Sequence, residues 1–255
     1  MLLVIDIGNS NITLGVFEEE ALKATWRVAT VIDRTSDEYA VILLSLLNQH
    51  GYQKTDINKA ALCSVVPTLT NVFQELCQTY FNTSTLIVGA GIKTGVRILL
   101  DNPREAGTDR IVNAAAAHHL YGGPIIIIDM GTATTFDTVA SNGDYLGGAI
   151  SPGLVASAEA IFNRTSQLRR VEIKPPEKAI GTSTVSAMQS GLFYGYVGMI
   201  EGVVGRIQKE LHEKPSVIAT GGYVDMIAKE TKIIDSVNEY LTLEGLRLIY
   251  VMNRV

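Results

Sequence analysis

Two stretches of this sequence set an aspartate and a glycine, one residue apart, at the end of an apolar run. The first is Leu2-Leu3-Val4-Ile5-Asp6-Ile7-Gly8-Asn9-Ser10, and the second is Ile125-Ile126-Ile127-Ile128-Asp129-Met130-Gly131-Thr132-Ala133. Small hydroxyl or amide residues follow each: Asn9, Ser10, Asn11 and Thr13 in one copy, Thr132, Thr134 and Thr135 in the other. A buried strand ending this way carries a carboxylate to the edge of a sheet. The glycine has no Cβ, so the backbone of the next hairpin can close around an anion. The hydroxyls and amides add neutral donors for phosphate oxygens. The carboxylates repel phosphate and become useful only by holding a cation that bridges to it, directly or through water. One Asp-x-Gly is ordinarily a hairpin turn and nothing more. Two copies standing 123 residues apart, Asp6 to Asp129, mark a duplicated unit whose turns would hold a polyphosphate and its metal in the cleft between two halves.

Other nucleotide signatures fit less well. No G-x-x-x-x-G-K-[ST] segment occurs. Gly89-Ala90-Gly91-Ile92-Lys93-Thr94-Gly95 has one residue too many for a dinucleotide fingerprint and runs toward Pro103 rather than into a helix, so it reads as a loop. On the acceptor side, Asn102-Pro103-Arg104-Glu105-Ala106-Gly107-Thr108-Asp109-Arg110 leads into an Ala-rich helix with Thr108 as the expected N-cap. An aspartate in the first turn is already favoured by the helix macrodipole. Gly107, however, clears space beside two charged side chains. Asp109 there could accept the proton of an attacking hydroxyl while Arg110 fixes an anionic substrate. Gly221-Gly222 could let an adenine ring lie flat on the backbone, or could be a plain turn. His118 and His119 are adjacent in a helix and share no face, so they and the remaining histidines read as structural.

The elements that must position these residues alternate. Apolar and period-2 runs predict strands at 2–7, 12–17, 23–28, 60–66, 85–88, 125–128, 135–140, 145–150 and 217–219, and at 246–252 to close the second sheet. Tyr39, Ile42, Leu43, Leu46 and Leu47 recur at helical spacing behind Ser36 as N-cap, with Gly51 ending the helix. Further helices are expected from Pro67, from Thr108 to about 120, over 154–162, and from Thr184 to about 211. The segment 93–103 reads as extended. The fold class is α/β, divided into 1–121 and 122–255.

Composition narrows the classes. Hydrophobic residues make up 47% and charged residues 18% of the 255, which suits a folded chain with a sizeable core. A net charge of -5 without clustered Lys and Arg argues against nucleic acid or an anionic membrane as partner. No apolar run nears the ~20 residues of a membrane span, and no basic lead-in precedes Leu2. Two cysteines in apolar patterns, Cys63 and Cys77, fit a reducing cytoplasm.

Four motifs in order, Asp6-Ile7-Gly8-Asn9-Ser10, Gly107-Thr108-Asp109-Arg110, Asp129–Thr135 and Tyr145-Leu146-Gly147-Gly148-Ala149-Ile150-Ser151-Pro152-Gly153, resemble type III pantothenate kinase. The likeness runs over the whole chain. It implies two duplicated ribonuclease H-like domains of the actin, sugar-kinase and heat-shock ATPase fold, with the active site in the cleft between them. It implies a cytoplasmic homodimer that uses ATP and Mg2+ to phosphorylate pantothenate to 4′-phosphopantothenate, the first step of coenzyme A biosynthesis. Under the resemblance, Asp6, Ile7, Gly8, Asn9, Ser10, Asn11, Ile12, Thr13 and Thr132 contact ATP, with Gly221 and Gly222 beside its base. Asp6 serves magnesium, directly or through water, and Asp129 holds a monovalent cation, K+ or NH4+. Asp109 is the base, and Gly107, Thr108, Arg110 and Thr184 contact pantothenate. Members often carry a Tyr where this chain has Leu100, a departure that bears on the pantothenate contact. Another small-molecule kinase of this fold would keep both phosphate turns and change the acceptor. An ATP-driven switch usually needs insertions for which 255 residues leave no room. A non-enzymatic accessory role in transcription would call for a basic helix that is missing.

Overall fold

The structure, a computed structural model, describes residues 1–164 and 170–254. In chain order the first elements are β1 (Leu2–Ile7), β2 (Asn11–Glu18), β3 (Ala21–Ala29), α1 (Ser36–Gln49), β4 (Lys59–Ser64), α2 (Pro67–Phe81), β5 (Thr85–Ile87), β6 (Arg97–Ile98) and α3 (Thr108–Tyr121). There follow β7 (Ile125–Met130), β8 (Ala133–Val139), β9 (Asp144–Pro152), α4 (Leu154–Arg164), α5 (Thr184–Glu210), β10 (Ser216–Gly221), α6 (Val224–Ala228), β11 (Ser236–Val237) and α7 (Leu241–Met252). The chain forms two units. One contains Met1–Arg97, Asp101–Ala116 and the stretch from Tyr240; the other contains Ile98–Leu100 and Ala117–Glu239.

The two sheets repeat one plan. The first has strand order β3-β2-β1-β4-β5, and the second, taken from its other edge, reads β9-β8-β7-β10-β11 with β6 added beyond β9. In each, the first strand pairs antiparallel with the second and parallel with the fourth. The repeated Asp-x-Gly turn is thus the visible part of a repeated topology.

Period-2 alternation decides where each aspartate points. In β1, Leu3, Ile5 and Ile7 pack with Tyr39, Leu43 and Leu47 of α1 and Leu69, Phe73 and Leu76 of α2. Leu2 and Val4 pack on the opposite face with Val112 and Ala115 of α3 and Leu246 and Ile249 of α7. Asp6 continues that second series and so lies on the α3 side. In β7, Ile126, Ile128 and Met130 pack with Phe193, Tyr196 and Ile200 of α5. Asp129 belongs to the alternate series.

Three sequence expectations change. The N-cap of α1 is Thr35, one residue before Ser36, because Glu38 then completes a capping box: the Thr35 amide donates to the Glu38 carboxylate at 2.9 Å. The segment 246–252 is not a strand of the second sheet. It lies in α7, which packs on the first unit, because Leu246 and Ile249 fall at helical spacing and their burial against β1 and α3 settles what a short apolar run leaves ambiguous. The stretch from Tyr240 belongs to the first unit. Finally, only Arg97–Ile98 of the extended segment 93–103 pairs as a strand, and Gly89–Gly95 is a loop as expected.

Helix α7 holds α3 closely. A Cβ on Gly245 would lie 2.4 Å from the Val112 carbonyl oxygen, so the helix backbones meet where no side chain fits. Nearby, the Thr242 hydroxyl donates to the Asn113 side-chain oxygen at 2.8 Å, which gives that buried amide a partner. These contacts fix the helix whose first turn carries Asp109.

Candidate functional site

The first unit gathers its chemistry at the carboxyl ends of β1 and β4. Asp6 is half-buried and stands in register with Thr13 of β2 and Cys63 of β4. The turn after it, residues 8–11, is closed by the Gly8 amide donating to the Asn11 carbonyl at 3.0 Å. Thr30, just past β3, braces this turn: its hydroxyl donates to the Gly8 carbonyl at 2.7 Å and its amide to the Ser10 carbonyl at 3.1 Å. Asn9, Ser10 and Asn11 are exposed at the tip. The side chains of Ile7 and Ile12 lie in the core, so these residues have only backbone groups to offer a ligand.

Helix α3 begins in the same unit, and Thr108 is its first residue rather than the cap. The Thr108 hydroxyl donates instead to the Ser64 carbonyl at 3.1 Å, which ties the start of α3 to the end of β4. Asp109 accepts from the Arg110 amide at 2.8 Å. Gly107 sits directly against this carboxylate, since a Cβ there would lie 2.6 Å from Asp109 Oδ1. The Cys63 thiol donates to Asp6 Oδ1 at 3.3 Å. Burial first, then the charges of Asp6 and Asp109, push this thiol well above its ordinary range.

The second unit repeats the turn with one residue fewer. Asp129 is in register with Thr135 of β8 and Thr220 of β10, and the Gly131 amide donates to the Ala133 carbonyl at 3.1 Å. The chain after β9 folds over this turn. The Gly153 amide donates to the Thr132 carbonyl at 3.2 Å, and a Cβ on Gly153 would lie 2.4 Å from the carbonyl oxygens of Gly131 and Thr132. Of the three threonines expected to offer phosphate donors, two are engaged elsewhere. Thr134 is fully buried and hydrogen-bonds the Tyr196 hydroxyl at 2.7 Å. Thr135 donates to Asp137 at 2.9 Å. Alternation explains this: Thr134 shares the face of Phe136 toward α5, and only Thr132 stays exposed at the tip.

Residues not singled out from the sequence support this turn. Burial, with the charge of Asp129 adding to it, pushes the Tyr196 hydroxyl up to about 12, although its bond to Thr134 acts the other way. Asp137 is a fully buried carboxylate that accepts from the Tyr145 hydroxyl at 2.6 Å. An Asp at the third alternate position after a turn was the available signal for this pair. Gly221 has φ +102°, and a Cβ would lie 2.6 Å from the Met130 amide nitrogen. The Gly222 amide donates to the Met130 carbonyl at 3.3 Å. Glycine at 221 is thus needed for close approach of the ends of β10 and β7. Thr184 is exposed as the first residue of α5, behind the N-cap Ser183. Leu100 belongs to this unit, where its side chain would meet a Cβ on Gly147 at 3.0 Å.

Among the described residues no cluster of three or more His, Cys, Asp or Glu is placed to cage a metal. Asp6, a half-buried carboxylate at the phosphate turn, fits Mg2+ arriving with a polyphosphate, because that ion keeps most of its waters and uses one or two protein carboxylates plus phosphate oxygens. Among the described residues no helix is long and apolar enough to cross a membrane.

A family model for type III pantothenate kinase matches residues 2–206. A type III pantothenate kinase of Dehalococcoides mccartyi is 55% identical over 254 residues, covering 100% of this chain and 97% of that protein. One from Geobacter sulfurreducens is 51% identical over 254 residues, with 100% of each chain covered. Among solved structures, the inorganic polyphosphate/ATP-glucomannokinase of Arthrobacter sp. strain KM superposes with TM-score 0.52 at 13% identity, covering 99% of both chains. At that identity the likeness concerns fold alone, and the fold is the two-unit α/β architecture of actin-like ATPases and sugar kinases.

Proposed function

Because the chain belongs to the type III pantothenate kinase family, we propose that the repeated turns and Asp109 carry out phosphorylation of pantothenate by ATP to give 4′-phosphopantothenate and ADP, in coenzyme A biosynthesis. The protein is a kinase, a phosphotransferase that uses ATP and a divalent metal. The observation that carries the residue assignment is that the Thr108 hydroxyl ties the start of α3 to the end of β4 at Ser64, next to Cys63, whose thiol donates to Asp6 of the phosphate turn.

The primary hydroxyl of pantothenate attacks the γ-phosphorus, a new P–O bond forms, and the bond from that phosphorus to the ADP oxygen breaks. Asp109 takes the hydroxyl proton. Its place in the first turn of α3, with the Arg110 amide donating to it, favours the ionised form that can accept a proton. A strong base is not needed, because phosphoryl transfer has a loose transition state in most analyses and depends chiefly on positioning. Gly107, Thr108 and Arg110 hold the acceptor beside that carboxylate, with Thr184 and Leu100 as further pantothenate contacts. Asn9, Ser10, Asn11 and Thr13, with backbone groups of Ile7, Gly8 and Ile12, bind ATP phosphates. Thr132 does the same in the second unit, and Gly221 and Gly222 lie against the base. Asp6 would hold magnesium, directly or through water; the ion would neutralise charge on the phosphate oxygens.

Asp129 is assigned a monovalent cation. One carboxylate with neutral hydroxyls in register beside it, Thr135 and Thr220, suits a singly charged ion. Equal turnover in sodium and potassium buffers would count against that site. The chain is further proposed to act as a homodimer in the cytoplasm. Exposed Ile150, Ile180 and Val185 in the second unit supply apolar surface for a second copy, and two buried free cysteines suit a reducing compartment. Sedimentation at the mass of one chain would remove the dimer. The reaction itself is tested by incubating the protein with ATP, Mg2+, K+ and pantothenate and looking for the phosphorylated product by mass spectrometry. Its absence, with ATP still hydrolysed, would move the protein to another acceptor.

A further inference from the structure

Cys63 is fully buried, and a cysteine in such a place is ordinarily a small apolar filler. Its neighbours along β4, Ala60, Ala61 and Leu62, are fillers of that kind. Cys63 differs in what it touches, because its thiol donates at 3.3 Å to Oδ1 of the aspartate that ends the phosphate turn. The position also recurs. Thr220 of β10 stands in register with Asp129 as Cys63 does with Asp6, and it too is buried after the apolar run Val217, Ile218 and Ala219. Packing alone would be served at either place by Ala or Val. In both units the residue beside the aspartate is instead small and able to donate a hydrogen bond.

We propose that Cys63 is a positioning residue for Asp6, its thiol fixing the carboxylate so that one constant face meets the cation that travels with the ATP phosphates. The inference rests on the kinase reading above. Groups that orient a metal-binding carboxylate are hydrogen-bonded to it, and losing one typically costs about 10–100-fold in metal affinity or activity.

The test compares Cys63→Ser, Cys63→Ala and Cys63→Val. Serine keeps a donor, alanine removes it, and valine removes it while filling the space. Two quantities are read: the Mg2+ concentration giving half-maximal turnover, and the Mg2+ dependence of ATP binding by calorimetry without pantothenate. The second readout separates the two ideas, since a wild-type protein that binds ATP in a Mg2+-dependent way but ignores pantothenate sinks the acceptor and leaves this inference measurable. The expected result is a ~10–100-fold higher Mg2+ requirement for alanine and valine, with serine restoring most of it. A wild-type Mg2+ dependence in valine or alanine overturns the proposal. So does a serine variant that loses as much as valine, because packing would then be the whole role. Should alanine fail to fold, valine decides.

Discussion

Replacing Gly107 by alanine should damage catalysis while leaving the fold nearly untouched. The added Cβ would sit 2.6 Å from Asp109 Oδ1, and its other neighbours, in the Arg110 side chain, are no nearer than 3.6 Å. An ordinary carbon–oxygen contact is about 3.3 Å, so the carboxylate must withdraw by about 0.7 Å and loosen its bond from the Arg110 amide. Misplacing a catalytic group by about 1 Å can cost ~100-fold, which puts the expected loss in kcat between about 10- and 100-fold, or roughly 1.4–2.7 kcal/mol of barrier. Folding stability should change little. A weakened helix-start interaction costs about 0.3–1 kcal/mol, and Gly→Ala returns a similar ~0.4–1 kcal/mol through the unfolded chain. The assay is coupled ADP release at saturating ATP and pantothenate, with a thermal melt alongside. Wild-type kcat would refute the claim that the placement of the Asp109 carboxylate matters. A protein that melts many degrees lower would refute the claim that only a flexible carboxylate has to move.

Three further perturbations bear on the second unit, the buried titrating groups and the α3–α7 contact. Tyr196→Phe leaves the buried Thr134 hydroxyl without its partner and should cost about 1–3 kcal/mol in urea unfolding, whereas adding Thr134→Val should recover part of that loss; strictly additive losses would mean the pair is not coupled. Alkaline pH should destabilise the protein, because Cys63 (ordinary value 9.0) and Tyr196 (raised from 10.0 to about 12) hold protons more tightly folded than unfolded. The Tyr196 contribution is whole below pH 10 and gone above about 12, so Tyr196→Phe should flatten the fall of the urea midpoint across that window. Superimposable pH curves would contradict it. Gly245→Ala, whose Cβ would meet the Val112 carbonyl at 2.4 Å, should lose about 1–3 kcal/mol by forcing α7 off α3, which a denaturant midpoint equal to wild type would exclude.

Much of this architecture was legible in the sequence because a few local rules agree. The runs 2–7 and 125–130 are apolar up to an aspartate, so strand, end and turn all follow from one pattern. Their repetition announced the duplicated sheet. The closing helix was not legible: Leu246–Met252 is an apolar run that suits strand or helix, and only its packing on β1 and α3 decides. The site was half legible for a similar reason. Asp6, Asp109 and Gly107 carry local signals. Thr30, Tyr145, Asp137 and Tyr196 act through strand register or across sheet and helix, where spacing along the chain says nothing. Thr134 and Thr135 looked alike in sequence, yet alternation sends one toward α5 and the other to Asp137.

The most direct test of the central claim is ADP release with and without pantothenate, in the wild-type protein and in Asp109→Asn, in the presence of ATP, Mg2+ and K+. Release should depend on pantothenate in the wild type and fall by about 10²–10⁴-fold in a folded Asp109→Asn protein. Release indifferent to pantothenate, or near-normal turnover in Asp109→Asn, would contradict it.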